Sequence, residues 1–392
     1  MNYRIAGLAL ALFMVGCKRH REPGPDTTVV DTSATTDTAT TTDRGGRVAI
    51  ARDTFGVGDD FDVTAAESLL AHPPRIRGAT SIAGLTYGLT GVEPGMLCNW
   101  PLNGNMLSVT PSNVQTVLKV AKTCNTRHVI VASRRLITTT GENHSPLSMA
   151  KAKAVTKAIA DQLTPSFLDT YGRYLIGYNL ADDYGSTAQW GGKIVTQAEI
   201  AEWATYARGV FDNRVALGVR VEPQWILKGS SGVISTLKSK LDYVWCQYRT
   251  TKGDFGTYVN RCTTQADGLG LKAVMGINVR YIGKEGGPVA TPSQVRTYET
   301  AIVKNPKTCA SLSWKWDTDG STWTNDLKAA HVEVAAVAKA QPARSCRKGT
   351  AVADGGPPDS LAPDTGTATP SETIAVPVAE TALAPEHGHK RR

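Results

Sequence analysis

The chain has 392 residues, with 43 Lys and Arg against 35 Asp and Glu, and a formal net charge of +8. The positive excess is spread along the length with no basic run interleaved with aromatics. That pattern argues against nucleic acid as a partner and leaves a basic solvated surface or an anionic ligand. About 300 residues lie between two low-complexity ends, enough for one large domain with a sizeable core.

The amino end carries Arg4, an apolar run from Ile5 to Gly16, and then Cys17. A run of about 12 residues is short for a spanning helix of roughly 20 and suits a cleavable signal core. Met14-Val15-Gly16-Cys17 resembles the lipobox of bacterial lipoproteins, in which a small residue precedes the cysteine that becomes lipidated. The resemblance implies a signal peptide over 1–16, lipidation of Cys17, and attachment to a membrane by acyl chains rather than a transmembrane helix. With Lys18 after the cysteine, it also implies an extracytoplasmic location, at the outer membrane or cell surface of a Gram-negative cell. Residues 17–50 are rich in Thr, Asp and Pro and are expected to form a tether. Residues 347–392 are expected to be a disordered tail, because neither segment can bury enough apolar surface to offset chain entropy. The closing His387-Gly-His389 reads as part of that solvated tail rather than as a metal site.

Between the ends, residues 51–346 alternate apolar strand-like runs with helical stretches. In chain order the pattern predicts a strand over 81–87, a helix over about 111–123, a strand over 128–133 and a helix over 147–163. A strand over 174–180, a helix near 197–211 and strands over 215–222 and 241–248 follow. The series ends with a helix near 254–268, a strand over 271–279, a helix near 292–303, a strand over 311–316 and a helix near 322–339. Strands alternating with helices imply a parallel sheet, and no G-x-G-x-x-G follows an early strand as a dinucleotide site requires. The expected architecture is a TIM-type (β/α)8 barrel. Seven strands are clear; the eighth is either Met106-Leu-Ser-Val109 or a segment within 47–75.

Apart from Cys17 there are six cysteines, Cys98, Cys124, Cys246, Cys262, Cys309 and Cys346, an even number that suits an oxidising compartment. Their spacing favours nearest-neighbour disulfides. No pair has C-x-x-C spacing and no histidine stands beside them, so structural staples are expected and neither metal nor cofactor is.

Catalytic groups of such barrels sit where strands end. The run Tyr174-Leu-Ile-Gly-Tyr-Asn-Leu-Ala delivers Asp182 and Asp183 into a turn, and Glu222 and Asp317 end other predicted strands. Tyr87, Arg134, Asn179, Trp225, Gln247, Tyr248, Asn278, Trp314 and Trp316 fall at similar places. Aromatic faces stack on pyranose C–H groups while amides and guanidiniums bond hydroxyls, so this set suits a sugar. H-E-x-x-H, G-x-S-x-G and the P-loop pattern are all missing.

The segment Ile176-Gly-Tyr-Asn-Leu-Ala-Asp-Asp-Tyr184 is similar to the fourth-strand segment of TIM-barrel glycoside hydrolases, which commonly read Gly-aromatic-x-x-x-Asp-Glu-Pro. The resemblance puts Asp183 on their acid/base Glu and Asp182 on their Asp. Asp183 is one methylene shorter than that Glu, Tyr184 replaces the Pro, and Asn278 stands where the family's seventh strand usually carries a nucleophilic Glu. It implies an exported, monomeric glycoside hydrolase-like protein acting on a polysaccharide, and the positive net charge suits an anionic one. Asp183 would be the acid/base, Glu222 or Asp317 its partner, and Asp182 the loop support. The alternatives are a catalytically silent glycan-binding barrel and a structural surface lipoprotein.

Overall fold

A computed structural model describes residues 63–72, 82–226, 237–284, 286–315 and 323–349. The expected signal peptide and tether, Cys17, Trp316, Asp317 and the tail from residue 350 lie outside these residues.

Eight parallel strands close into a barrel in chain order: β1 (Thr86–Thr90), β2 (Gly104–Val109), β3 (Arg127–Ala132), β4 (Leu175–Asn179), β5 (Leu217–Arg220), β6 (Tyr243–Tyr248), β7 (Lys272–Ile277) and β8 (Thr308–Ser313). β8 pairs back onto β1, with Thr86 opposite Ala310. The weakly patterned eighth strand is Gly104-Asn-Met-Leu-Ser-Val109. All six of its residues are buried, because a barrel strand is covered on both faces whatever its own polarity. β1 begins later than its apolar run suggests. Gly84 has φ +82°, and a Cβ there would lie 2.5 Å from the Lys339 Cα, so the chain turns against the last helix before it enters the barrel.

The helices are set by sequence-local stops and by one apolar face each. Thr196 and Glu199 form a reciprocal capping box that starts the helix Gln197–Phe211. Its buried Ile200, Trp203, Ala204, Ala207 and Phe211 recur at helical spacing. Asp254 and Thr324 cap the helices Phe255–Gly268 and Asn325–Lys339 one way only, their side chains accepting from the N–H groups of Thr257 and Leu327. These faces cover the outside of the barrel, where each fully buried Leu, Val or Phe contributes roughly 1.5–3 kcal/mol.

A second apolar cluster contains no helical residue and fills the barrel interior. Tyr243 and Trp245 of β6 are its largest members, packed with Met106, Val129, Val131, Val274 and Leu312. Gly218 lies opposite Tyr243 in the β5–β6 register, and a Cβ there would stand 2.1–2.4 Å from carbons of the tyrosine ring. The absent side chain is the space the ring occupies. Gly218→Ala is therefore expected to destabilise the protein by about 1–3 kcal/mol, read from the urea midpoint. An unchanged midpoint would mean that the ring can move aside.

Three disulfides join nearest neighbours, Cys98–Cys124, Cys246–Cys262 and Cys309–Cys346, across 26, 16 and 37 residues. They fit an oxidising compartment. Among the described residues no helix is long and apolar enough to cross a membrane.

Candidate active site

β4 delivers its two acids to the carboxyl end of the barrel in unlike settings. Beyond Asn179 the chain stays tied to β5, with Leu180 N–H donating to Gly218 O at 2.8 Å and Arg220 N–H donating to Ala181 O at 3.1 Å. Asn179 is buried and braces this exit by donating from Nδ2 to Ala181 O at 3.0 Å. Asp183 then takes the left-handed backbone, φ +45°, a conformation that Asp tolerates better than most residues. Ser186 N–H donates to its carbonyl at 2.8 Å and closes the turn. The reversal sends neighbouring carboxylates into different surroundings: the Asp182 side chain is 6% exposed and that of Asp183 29%.

Asp182 is held between two arginines. Arg220 Nη1 lies 2.7 Å from Asp182 Oδ1, and Arg134 Nη2 lies 3.6 Å from Oδ2. Arg220 also reaches Asp183, with Nη2 3.6 Å from Oδ2, and donates to Gln247 Oε1. Burial pushes the Asp182 carboxyl up while the Arg220 guanidinium pulls against it. Burial works to lower Arg220, but the Asp182 and Asp183 charges outweigh it and hold this guanidinium above the usual arginine range. Arg134 is lowered, because burial there exceeds the pull of the same two acids. Both guanidiniums lie near indole rings: Arg134 is 5.0 Å from the Trp190 ring centre, and Arg220 is 5.6 Å from Trp245 and 5.1 Å from Trp314.

Glu222 follows β5 by two residues and brings a third carboxylate to this end. Its side chain is 20% exposed, Lys252 Nζ lies 3.2 Å from Oε1, and the buried Oε2 has no hydrogen-bond partner. Burial raises its pKa, Lys252 lowers it, and the charge of Asp183 raises it further. Asp183 and Glu222 thus stand just beyond the ends of adjacent strands, β4 and β5. The partly buried Trp314, whose ring lies by Arg220, follows β8, and its peptide bond to Lys315 is cis.

The remaining expected residues divide between the mouth and the outer layer. Gln247 is buried beside Arg220, with Nε2 donating to Ile277 O at 3.4 Å. Asn278 is also buried; its Oδ1 accepts from Tyr281 N–H at 2.7 Å, and its Nδ2 has no partner. Trp225 belongs to the short helix Pro223–Ile226 directly after Glu222.

Tyr87 and Tyr248 do not reach the mouth. Because β1 starts at Thr86, Tyr87 is its second residue rather than its end, and its hydroxyl donates to Glu299 and meets His331 Nδ1 at 2.6 Å among the surrounding helices. Tyr248 is two residues from Cys246, whose disulfide ties β6 to the outer helix Phe255–Gly268, so the alternation of the strand turns Tyr248 outward as well. There it packs on Phe255, Tyr258 and Tyr298 and donates to Gly253 O at 2.8 Å.

Sequence reasoning passed over Arg220 and Lys252. The signal for Arg220 was present in Val219-Arg-Val221: a charge inside an apolar strand must be paired if it points inward.

No family model matches the sequence, and no curated protein matches it either. Similar solved structures include glycoside hydrolases. One is a family 30 subfamily 8 xylanase of Clostridium acetobutylicum, 9% identical, with 65% of this chain and 73% of that chain covered and a TM-score of 0.45. A second is a family 18 chitinase of Pseudoalteromonas aurantia, at 13% identity, 63% and 98% coverage and a TM-score of 0.39. A third is a family 39 β-xylosidase of Caulobacter crescentus, at 12% identity, 62% and 65% coverage and a TM-score of 0.42. The closure of this chain into eight parallel strands rests on its own strand pairing.

Proposed function

We propose that this chain is an exported, lipid-anchored glycoside hydrolase that cleaves a polysaccharide through Asp183 and Glu222. The observation that carries the reading is two carboxylates just beyond neighbouring strand ends, Asp183 3.6 Å from Arg220 Nη2 and the half-buried Glu222 with an unpartnered Oε2, where the charge of Asp183 raises the Glu222 pKa. Glycoside hydrolysis uses two carboxyl groups in unlike protonation states flanking one bond. Glu222, raised by burial, holds the proton for the leaving oxygen. Asp183, beside Arg220, is the opposing carboxylate. Trp314 offers a face for a sugar ring, Gln247 and Asn278 offer amides, and Asp182 with Arg134 and Arg220 forms the rigid floor. The fourth-strand resemblance supports the same substrate class while giving the proton to Asp183. The three disulfides support an extracytoplasmic location, and the lipobox-like Met14–Cys17 supports the anchor.

A panel of neutral and acidic polysaccharides, scored both for new reducing ends and for binding, tests the reading. Release from at least one member is expected. A polysaccharide that binds the wild type, in a panel where nothing is cleaved, would replace the hydrolase with a glycan-binding barrel. That second reading is favoured by the cation beside each carboxylate, Lys252 at Glu222 and Arg220 at Asp183.

The pH profile should follow the charges around Glu222. Lys252 lowers its pKa, so Lys252→Met should raise it and keep the acid protonated to higher pH. The basic limb of kcat/KM should move upward. A limb that stays in place or moves down would take the proton away from Glu222.

A further inference from the structure

The helix Phe255–Gly268 brings a further hydroxyl, that of Tyr258, to the acids at the barrel mouth, and a proline explains why it is there. As the chain leaves β5, Val221 N–H donates to Trp245 O of β6 at 2.9 Å. The next rung of a parallel ladder lies two residues on, from residue 223 to Gln247 O. Residue 223 is proline, which has no N–H to give, and the chain turns there into the short helix Pro223–Ile226. The Tyr258 hydroxyl takes the place of that donor, reaching Gln247 O at 2.7 Å.

Glu222 immediately precedes this proline, so the hydroxyl stands where the chain carrying the acid leaves β5. Burial pushes the Tyr258 hydroxyl well above its usual range; the charge of Glu222 raises it further, Arg220 lowers it and Asp183 raises it. It therefore stays neutral while Glu222 titrates. The contact is held firmly. Tyr258 is 6% exposed, and its ring lies edge-on to Tyr248 with centroids 5.4 Å apart. Cys246 adjoins Gln247 and Cys262 follows Tyr258 by one helical turn, so their disulfide fastens strand to helix beside the hydrogen bond. The other ionisable groups acting on Glu222 are Lys252, 3.2 Å from Oε1, Asp183 beyond β4 and Arg220 at the end of β5. None of them bonds the buried Oε2.

We infer that Tyr258 is a positioning residue for the proton-donating carboxyl, an inference that rests on the reading of Glu222 as the acid. The Tyr258 proton is committed to Gln247 O, so towards Glu222 its oxygen can only accept, and it holds the proton on that carboxyl. A hydrogen bond made to the protonated form of an acid disfavours ionisation. Lys252 pulls the other way by favouring the carboxylate. Between them the two set the pH at which the acid loses its proton.

Tyr258→Phe keeps the ring and removes the oxygen. The basic limb of kcat/KM should move down by about half to one pH unit, the scale of one neutral hydrogen bond, opposite in direction to Lys252→Met. The carboxyl itself is read in the full chain by its carbon-13 resonance after glutamate labelling, assigned by its absence from Glu222→Gln. Its titration midpoint should fall by the same amount. A hydroxyl that only supports the fold would lower Tm and leave both readings in place, so a midpoint that stays or rises in folded Tyr258→Phe would overturn the inference. Should that variant not fold, Pro223→Ala replaces it: the new amide can donate to Gln247 O and free the Tyr258 proton for the ionised carboxylate. The midpoint should again fall, and an unmoved one again overturns the inference. The resonance is read without substrate. If no polysaccharide is cleaved, the hydrolase reading fails while the midpoint still decides on Tyr258.

Discussion

Glu222→Gln is expected to lower turnover of the natural polysaccharide by roughly 10²- to 10⁴-fold, the usual contribution of a positioned acid or base, while leaving binding intact. Gln keeps the shape of the side chain and removes only the proton that titrates. The loss should depend on the leaving group: an aryl glycoside with an acidic phenol departs without protonation, so on that substrate the variant should approach wild-type rates. Asp183→Asn should behave differently. A carboxylate that stabilises the positive charge developing at the sugar is needed whatever the leaving group, so its loss should be severe on both substrates. If Glu222→Gln were equally impaired on polysaccharide and aryl glycoside, Glu222 would not be the proton donor. If the leaving-group dependence appeared in Asp183→Asn instead, the two roles would be exchanged, as the fourth-strand resemblance implies.

Arg220→Met is expected to destabilise the fold by about 3–5 kcal/mol, the scale for removing one member of a buried ion pair. The loss is not mainly that of an attraction. Arg220 is the 2.7 Å partner of Asp182, and without it that carboxylate is left in the barrel mouth with Arg134 at 3.6 Å. Burial already raises the Asp182 pKa, and removal of Arg220 raises it further. A carboxyl whose folded pKa lies above its unfolded value favours folding below the unfolded pKa and loses that contribution as pH rises through the folded one. The deficit should therefore be larger at pH 7 than near pH 4 when unfolding is followed in urea. Adding Asp182→Asn should recover part of the loss, since the orphaned charge is gone. A deficit below about 1 kcal/mol, typical of exposed ion pairs, would mean that the cluster is solvated.

The barrel was largely legible in the sequence because a parallel strand buried on both faces is an apolar run, and seven of the eight strands are such runs. β2 was visible only as an alternative, since Gly104, Asn105 and Ser108 dilute it, and only closure of the ring explains why they are inside. Strand ends were harder to read than strands. Tyr87 and Gln247 both stood out as end residues, but a shift of one position moves a side chain from the barrel interior to its outer surface, and Gly84 sets the start of β1 through a contact with the final helix that no local pattern reveals. Asp182 and Asp183 are chemically identical neighbours. Their division into a buried anchor and a more exposed acid comes from one left-handed residue and from Arg220, whose direction within β5 could not be read from an isolated charge.

Consecutive pairing of the six barrel cysteines has a consequence for how the protein is made. A chain that leaves a ribosome or translocase amino end first presents Cys98, and the next of these cysteines to appear is its correct partner. The same holds for Cys246 and Cys262, and again for Cys309 and Cys346. Domains generally fold in the order of synthesis, so, with Cys17 blocked by the acyl chains of the proposed anchor, an oxidase acting on the emerging chain reaches the native linkage by always joining the newest thiol to the one still open. The staples can be set one strand-and-helix unit at a time, before the ring closes, with no wrong bridge to undo.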